Sequence, residues 1–165
     1  MARRIIRRML TMLFAVLAAF LAQAPATGAY VTSREIAATL KNSIEKNIVD
    51  QPIKAVALPG GHQAAVALLR RTKAETSALI HDRVTEIYEI MEGSGTLVTG
   101  GALESPTPTD LTRVNAGPSQ TGQHKGGESR RVGPKDVIIV PAGMPHRFSQ
   151  LDGPITYMVY RFEPR

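Results

Sequence analysis

The chain has 165 residues, 20 Lys and Arg against 14 Asp and Glu, a net charge of +6, no Cys and no Trp. That length holds one domain, and 43% hydrophobic with 21% charged residues excludes disordered, collagen-like and disulfide-stapled chains. Without cysteine, thiolate metal sites are excluded too, so any metal site must be built from His, Asp and Glu.

Arg3, Arg4, Arg7 and Arg8 open the chain with no acid near them, and an apolar run over residues 9–22 follows, broken only by Thr11. A charged start, a short apolar stretch and the small residues Ala22, Ala24, Ala26 and Ala29 are the parts of a cleaved signal peptide. The run is shorter than the roughly 20 residues a bilayer requires, so no stable membrane insertion is expected once the leader is gone. Pro25 disfavours cleavage after Ala24, which places the expected cut near Ala29, with residues 1–29 as leader and the mature chain periplasmic or secreted. The pair Arg7-Arg8 before Met9-Leu10 has the look of a twin-arginine signal, but no Lys follows the pair, so the general secretory route is favoured over it. Removing the leader takes four of the 20 basic residues and none of the 14 acids, leaving 16 against 14 and a net charge of +2 over 136 residues. The basicity therefore belongs to the leader, and the case for a nucleic-acid partner goes with it.

A helix is expected over residues 33–47, opened by Thr32 with Glu35 three residues on as a capping box. Ile36, Leu40 and Ile44 recur every four residues beside Ala37, so one side should pack. This helix fills an N-terminal segment of residues 30–52. After Gln51-Pro52 the pattern changes to short apolar or alternating runs closed by turns, read as strands over residues 55–58, 63–71, 77–81, 86–91, 96–99, 129–132, 137–140, 146–150 and 155–162. Many short strands without alternating helices predict an all-β antiparallel sandwich or barrel over residues 53–165. Residues 102–127, rich in Gly, Pro, Ser and Thr, are expected to form one long polar loop, either a mobile cover over a site or disordered.

Chemistry-bearing residues gather in two segments. In the first, His81 and Glu86 are five apart and would face opposite ways on one unbroken strand. A turn at Asp82-Arg83, making a hairpin, brings imidazole and carboxylate together, and parity then puts Tyr88 and Ile90 on the face of Glu86 while Glu89 faces solvent. In the second, Pro141-Ala142-Gly143-Met144-Pro145-His146 ends an apolar strand in a turn that aims His146 back at the sheet. In the late run, Tyr157 and Arg161 share one parity, with inside and outside both open.

These segments resemble the paired motifs of the cupin superfamily. His81 matches the second His of the first motif, Glu86 its Glu and Gly93 its Gly, at the family spacing. Pro141, Gly143 and His146 match the second motif, and Gln150 stands where an Asn is common. The resemblance covers roughly residues 56–162. It implies a jelly-roll barrel of six to eight strands, with a divalent metal held inside by His81, Glu86 and His146. Two positions depart from the pattern: Leu79 stands where the family commonly has its first ligand His, and Lys135 stands where a Gly often opens the second motif.

The remaining donors form a two-His-one-carboxylate set, which suits non-haem Fe(II) and is equally open to Mn, Zn or Ni. Tyr88, if it lies near the metal, is a candidate catalytic proton donor. His62, just after Gly60-Gly61, is either a replacement ligand from a neighbouring strand or a solvent-exposed turn residue, and His124 is expected in the exposed loop. No Cys nucleophile, Gly-x-Ser-x-Gly elbow or Walker loop is present, and no separate organic-cofactor site is expected. Two functions follow from the resemblance. One is an exported metal-dependent cupin acting on a small organic molecule by dioxygenase, isomerase or lyase chemistry. The other is a non-catalytic small-molecule-binding module with a degenerate or absent metal site. Resemblance to dimeric cupins makes a homodimer one expected arrangement.

Overall fold

The computed structural model describes residues 28–163, so the expected leader lies outside the described residues except for Gly28 and Ala29. Helix α1, Ser33–Lys46, is followed by β1 Asp50–Ala57, β2 Gln63–Arg71, β3 Ala78–His81, β4 Thr85–Glu92, β5 Gly95–Thr99 and β6 Ala102–Asp110. The chain continues through β7 Pro118–Lys125, β8 Glu128–Val132, β9 Val137–Val140, β10 His146–Leu151 and β11 Ile155–Glu163. The strands form two antiparallel sheets, in the orders β1-β2-β11-β4-β9 and β6-β7-β3-β10-β5-β8. This is the expected jelly-roll with one N-terminal helix, built from eleven described strands rather than six to eight.

The helix begins at the expected cap. Thr32 accepts from the Glu35 N–H while the Thr32 N–H donates back to Glu35 Oε2 at 2.7 Å. The Glu35 carboxyl is held down at about 2 by the Thr32 backbone N–H, then by the Thr32 hydroxyl and the Lys54 ammonium. Asn47 closes the helix in the left-handed region, its N–H on the Ser43 carbonyl. The side that packs differs from the apolar stripe: Ser43 is buried, whereas Ile44 is 54% exposed. Polar bonds explain the offset, because Asn42 donates to the Gln51 side chain and Gln51 Nε2 donates to the Thr39 carbonyl at 3.2 Å. These fix the helix to β1 through its polar flank.

Inward-facing positions alternate along the central strands, as a half-buried sheet requires. Ala67 and Leu69, Tyr88 and Ile90, and Ile155, Tyr157 and Val159 meet Leu97, Val132, Val140 and Phe148 in one core between the sheets. Each such large side chain taken out of water stabilises the fold by roughly 1.5–3 kcal/mol. Strand β11 lies between β2 and β4, and its register sets Arg161 opposite Glu86, Val159 opposite Tyr88 and Tyr157 opposite Ile90. One inner surface therefore carries both the core and the candidate site.

Three expectations are corrected. Residues 102–127 are mostly a hairpin, β6 with β7, joined through a short helical turn at Thr112–Val114. Strand β6 is largely exposed at the edge of the six-stranded sheet, and β7 beside it is mostly half-buried with polar side chains, so neither shows apolar alternation, and threonine favours the extended chain. Strand β1 starts at Asp50, inside the expected helical segment, and contains Pro52, with a register shift between Pro52 and Lys54. An edge strand tolerates a residue without an N–H. Finally, Asp82-Arg83 does not make a hairpin: β3 and β4 belong to different sheets, and the chain crosses between them at this bend.

Candidate metal centre

The crossing at Asp82-Arg83 brings His81 from one sheet towards Glu86 on the other. The turn after β9 supplies the third side chain. Gly143, at φ 77°, donates its N–H to the His81 carbonyl at 2.8 Å, tying that turn to β3 just before His146 enters β10. Gly93 closes the first motif where β4 turns towards β5. Its φ is 79°, and a Cβ there would lie 2.2 Å from the Pro154 carbonyl oxygen, so backbone approach demands glycine.

His81, Glu86 and His146 are 4%, 1% and 6% exposed, and one donor atom from each lies within 4.8 Å of the others. His81 Nε2 is 3.3 Å and His146 Nε2 3.6 Å from the same oxygen, Glu86 Oε2. The outer nitrogens fix the tautomers. His146 Nδ1 lies 3.0 Å from the Met144 carbonyl, which only accepts, so Nδ1 carries a proton and donates. His81 Nδ1 lies 2.9 Å from Ser119 Oγ. The Ser119 hydroxyl itself donates towards the carbonyls of Gly117 at 3.1 Å and Ala116 at 3.3 Å, so it accepts from His81.

Each imidazole thus leaves only its Nε2 to face the carboxylate oxygen. These three atoms, close together in a dry interior, call for a cation among them, either a proton on His81 Nε2 that donates to Glu86 or a divalent metal. The bonds at Nδ1 are the outer contacts that orient metal-binding histidines. The donor set therefore fits a divalent metal.

Electrostatics agree with the geometry. Burial pushes the Glu86 carboxyl up, but the His81 hydrogen bond and charge, the Arg161 guanidinium and His146 outweigh it and hold the group well below its ordinary 4.5. Burial is the main force on His146, lowering it from its ordinary 6.5 and favouring the neutral ring. Tyr88 donates its hydroxyl to Glu86 Oε2 at 2.6 Å. Burial first, and the Glu86 charge second, keep its phenol protonated far above pH 10.0.

The sequence matches no protein-family model and no curated protein. Among solved structures, the chain is similar to a protein from Bacillus halodurans at 16% identity, covering 87% of this chain and 86% of that one with a TM-score of 0.50. Two antiparallel jelly-roll sheets with the motif His and Glu residues converging between them are the arrangement that the motif resemblance implies, and the same fold extends along 87% of this chain in the Bacillus halodurans protein. The chain has the cupin fold. A cupin protein from Bacteroides fragilis overlaps at 14% identity, 86% of each chain and a TM-score of 0.44. A DMSP lyase from Ruegeria pomeroyi overlaps at 19% identity and a TM-score of 0.40, with 70% of this chain covering 47% of the lyase.

Within the cupin fold, the three expected ligand positions and Tyr88 come together, and Glu89 faces outward, accepting from Tyr160 at 2.8 Å. Leu79 lies across from His146 in the pairing of β3 with β10. His62 does not replace the missing imidazole: its ring lies against Gly60 at the turn before β2, and it is absent from the cluster found among the described residues. His124 is half-buried on β7 rather than exposed in a loop, with Nε2 2.7 Å from the Gly100 carbonyl. The late strand turns Tyr157 and Arg161 inward, each no more than 2% exposed.

Sequence reasoning did not single out Ser119 or Asp50. Ser119 sits in a polar stretch with no periodic pattern, and Asp50 lies before the expected start of its strand. The arginine within an otherwise apolar strand was the one available signal for the Arg161 network.

Proposed function

We propose that the chain is an exported metal-dependent protein that holds one divalent ion through His81 Nε2, His146 Nε2 and Glu86 Oε2 and acts on a small organic molecule. One observation carries this reading: both Nδ1 atoms are tied outward, leaving two imidazole Nε2 atoms and a carboxylate oxygen converged in a buried space. A bound metal supplies a Lewis acid that polarises an oxygen of the ligand. Fe, Mn, Zn and Ni all accept this donor set, and dioxygenase, isomerase and lyase reactions are the classes proposed.

The chain's own residues have definite parts. Tyr88 holds its phenolic proton against Glu86 Oε2 and is the residue proposed to contact a bound molecule's oxygen or to share that proton with it. Phe148 and Tyr157, packed ring against ring at 5.4 Å, keep water from the inner wall. Ser119, which orients His81, also lines an outer cleft of about 590 Å³ with Asp82, Asp110 and Gln120. The cleft is the proposed side of approach.

A second reading, a binding module without catalysis, is favoured by Leu79, which leaves one fewer imidazole than the family pattern. Elemental analysis of the chain recovered from the exported fraction, with its N-terminus read by mass spectrometry, separates the two. The first reading expects a start near Tyr30 and about one metal per chain, lost in His146→Ala and in Glu86→Ala. A chain that stays empty after incubation with Fe(II), Mn(II), Ni(II) and Zn(II) overturns it, and a chain that is found only inside the cell with Met1 to Ala29 still attached overturns the export.

A further inference from the structure

Arg161 has no part in the proposed chemistry, yet it contacts the carboxylate at its centre. Its Nε donates to Glu86 Oε1 at 2.8 Å. Nη1 and Nη2 donate to the two oxygens of Asp50 at 3.2 and 2.6 Å, and Nη1 also donates to the Val114 carbonyl. The arginine side chain is 2% exposed and that of Asp50 22%. Glu86 is thereby divided: Oε1 is taken by the guanidinium, and Oε2 alone faces His81, His146 and Tyr88.

We propose that Arg161 is a positioning residue that restricts Glu86 to one donor oxygen, and that Asp50 balances its charge, so that the two together set how tightly the site holds a divalent cation. The inference rests on the metal reading above. A guanidinium beside a ligand carboxylate repels an arriving cation, and an aspartate on its far side cancels part of that field. Among buried groups one such charge changes an equilibrium by about tenfold or more. The two residues consequently act in opposite directions on affinity, although loss of either breaks the same buried network.

That opposition is the test. Co(II) is titrated into the full chain and read by its visible absorption, for wild type, Arg161→Met, Arg161→Gln and Asp50→Asn, with thermal melts to confirm folding. Arg161→Met and Arg161→Gln are expected to bind Co(II) about tenfold or more tightly, and Asp50→Asn about tenfold or more weakly. The band shape should change in Arg161→Met, where Oε1 is freed. It should stay as in wild type in Arg161→Gln, whose amide still donates to Oε1, and in Asp50→Asn.

If Arg161→Met does not fold, Arg161→Gln carries the sign. Wild type that binds Co(II), with every variant weakened in step with its melting temperature, makes Arg161 a structural buttress and overturns the inference alone. Wild type that binds no Co(II) overturns the metal reading and this inference with it.

Discussion

At the residue scale, the site depends on hydrogen bonds that aim its donors. Ser119 is the partner of His81 Nδ1, and without it the ring loses both its tautomer and its orientation. Ser119→Ala should weaken metal binding about 10- to 100-fold, the usual effect of losing such a partner, while the melting temperature of the metal-free chain changes little. Competition against a chromophoric chelator measures it, and unchanged affinity would remove Ser119 from the site. The candidate ligands were legible in the sequence because His81, Glu86 and Gly93 lie close along one segment, and Pro141, Gly143 and His146 along another. Their partners were not. Ser119 is 38 residues from His81, Arg161 is 75 from Glu86 and Asp50 is 111 from Arg161, so only strand pairing and the closing of one sheet over the other bring them together.

Elements show which local patterns carry information. Residues 63–71 and 137–140 were read as they stand in β2 and β9, whose residues form sustained apolar or alternating runs. The β6–β7 hairpin was invisible because β6 is an exposed edge strand and β7 carries polar, half-buried side chains, so neither shows such a pattern. The turn before β9 records a departure from the motif. Asp136 N–H reaches the Gly133 carbonyl at 3.1 Å, and Lys135 occupies the position where such a turn favours glycine, with φ 77°. An L-residue in that region costs about 1–2 kcal/mol, so Lys135→Gly should stabilise the chain by about 1 kcal/mol in chemical denaturation. A destabilised variant would mean that the lysine side chain makes a compensating contact.

At α1, the low pKa of Glu35 has a definite sign. Because the folded value, about 2, lies below the ordinary 4.5, its contribution to stability is present above pH 4.5 and is lost as the pH falls towards 2. The Thr32 amide resonance should titrate with a midpoint near 2 and lose that transition in Glu35→Gln. A midpoint at 4.5 would show that the capping box does not form.

For the whole molecule, the two-sheet plan explains why the centre lies where it does. His81 and His146 come from adjacent strands of one sheet, Glu86, Tyr88 and Arg161 from adjacent strands of the other, so an ion bound among them joins the two halves of the barrel. Fold class was readable from the run of short strands, and the motif spacing placed the candidate ligands. Sheet order, the inward face of β11 and the closing segment around Val114 and Ser119 arise from long-range pairing that no local pattern encodes.

The central claim is that two imidazoles and one carboxylate oxygen share a single cation, and anomalous diffraction from a crystal of the Zn(II)- or Co(II)-loaded chain tests it most directly. One strong peak is expected, bounded by His81 Nε2, His146 Nε2 and Glu86 Oε2 at roughly 2.0–2.2 Å, the usual range for nitrogen and oxygen ligands of such ions. A loaded crystal with no peak among these three atoms, or with the metal held only by surface groups, would contradict the account.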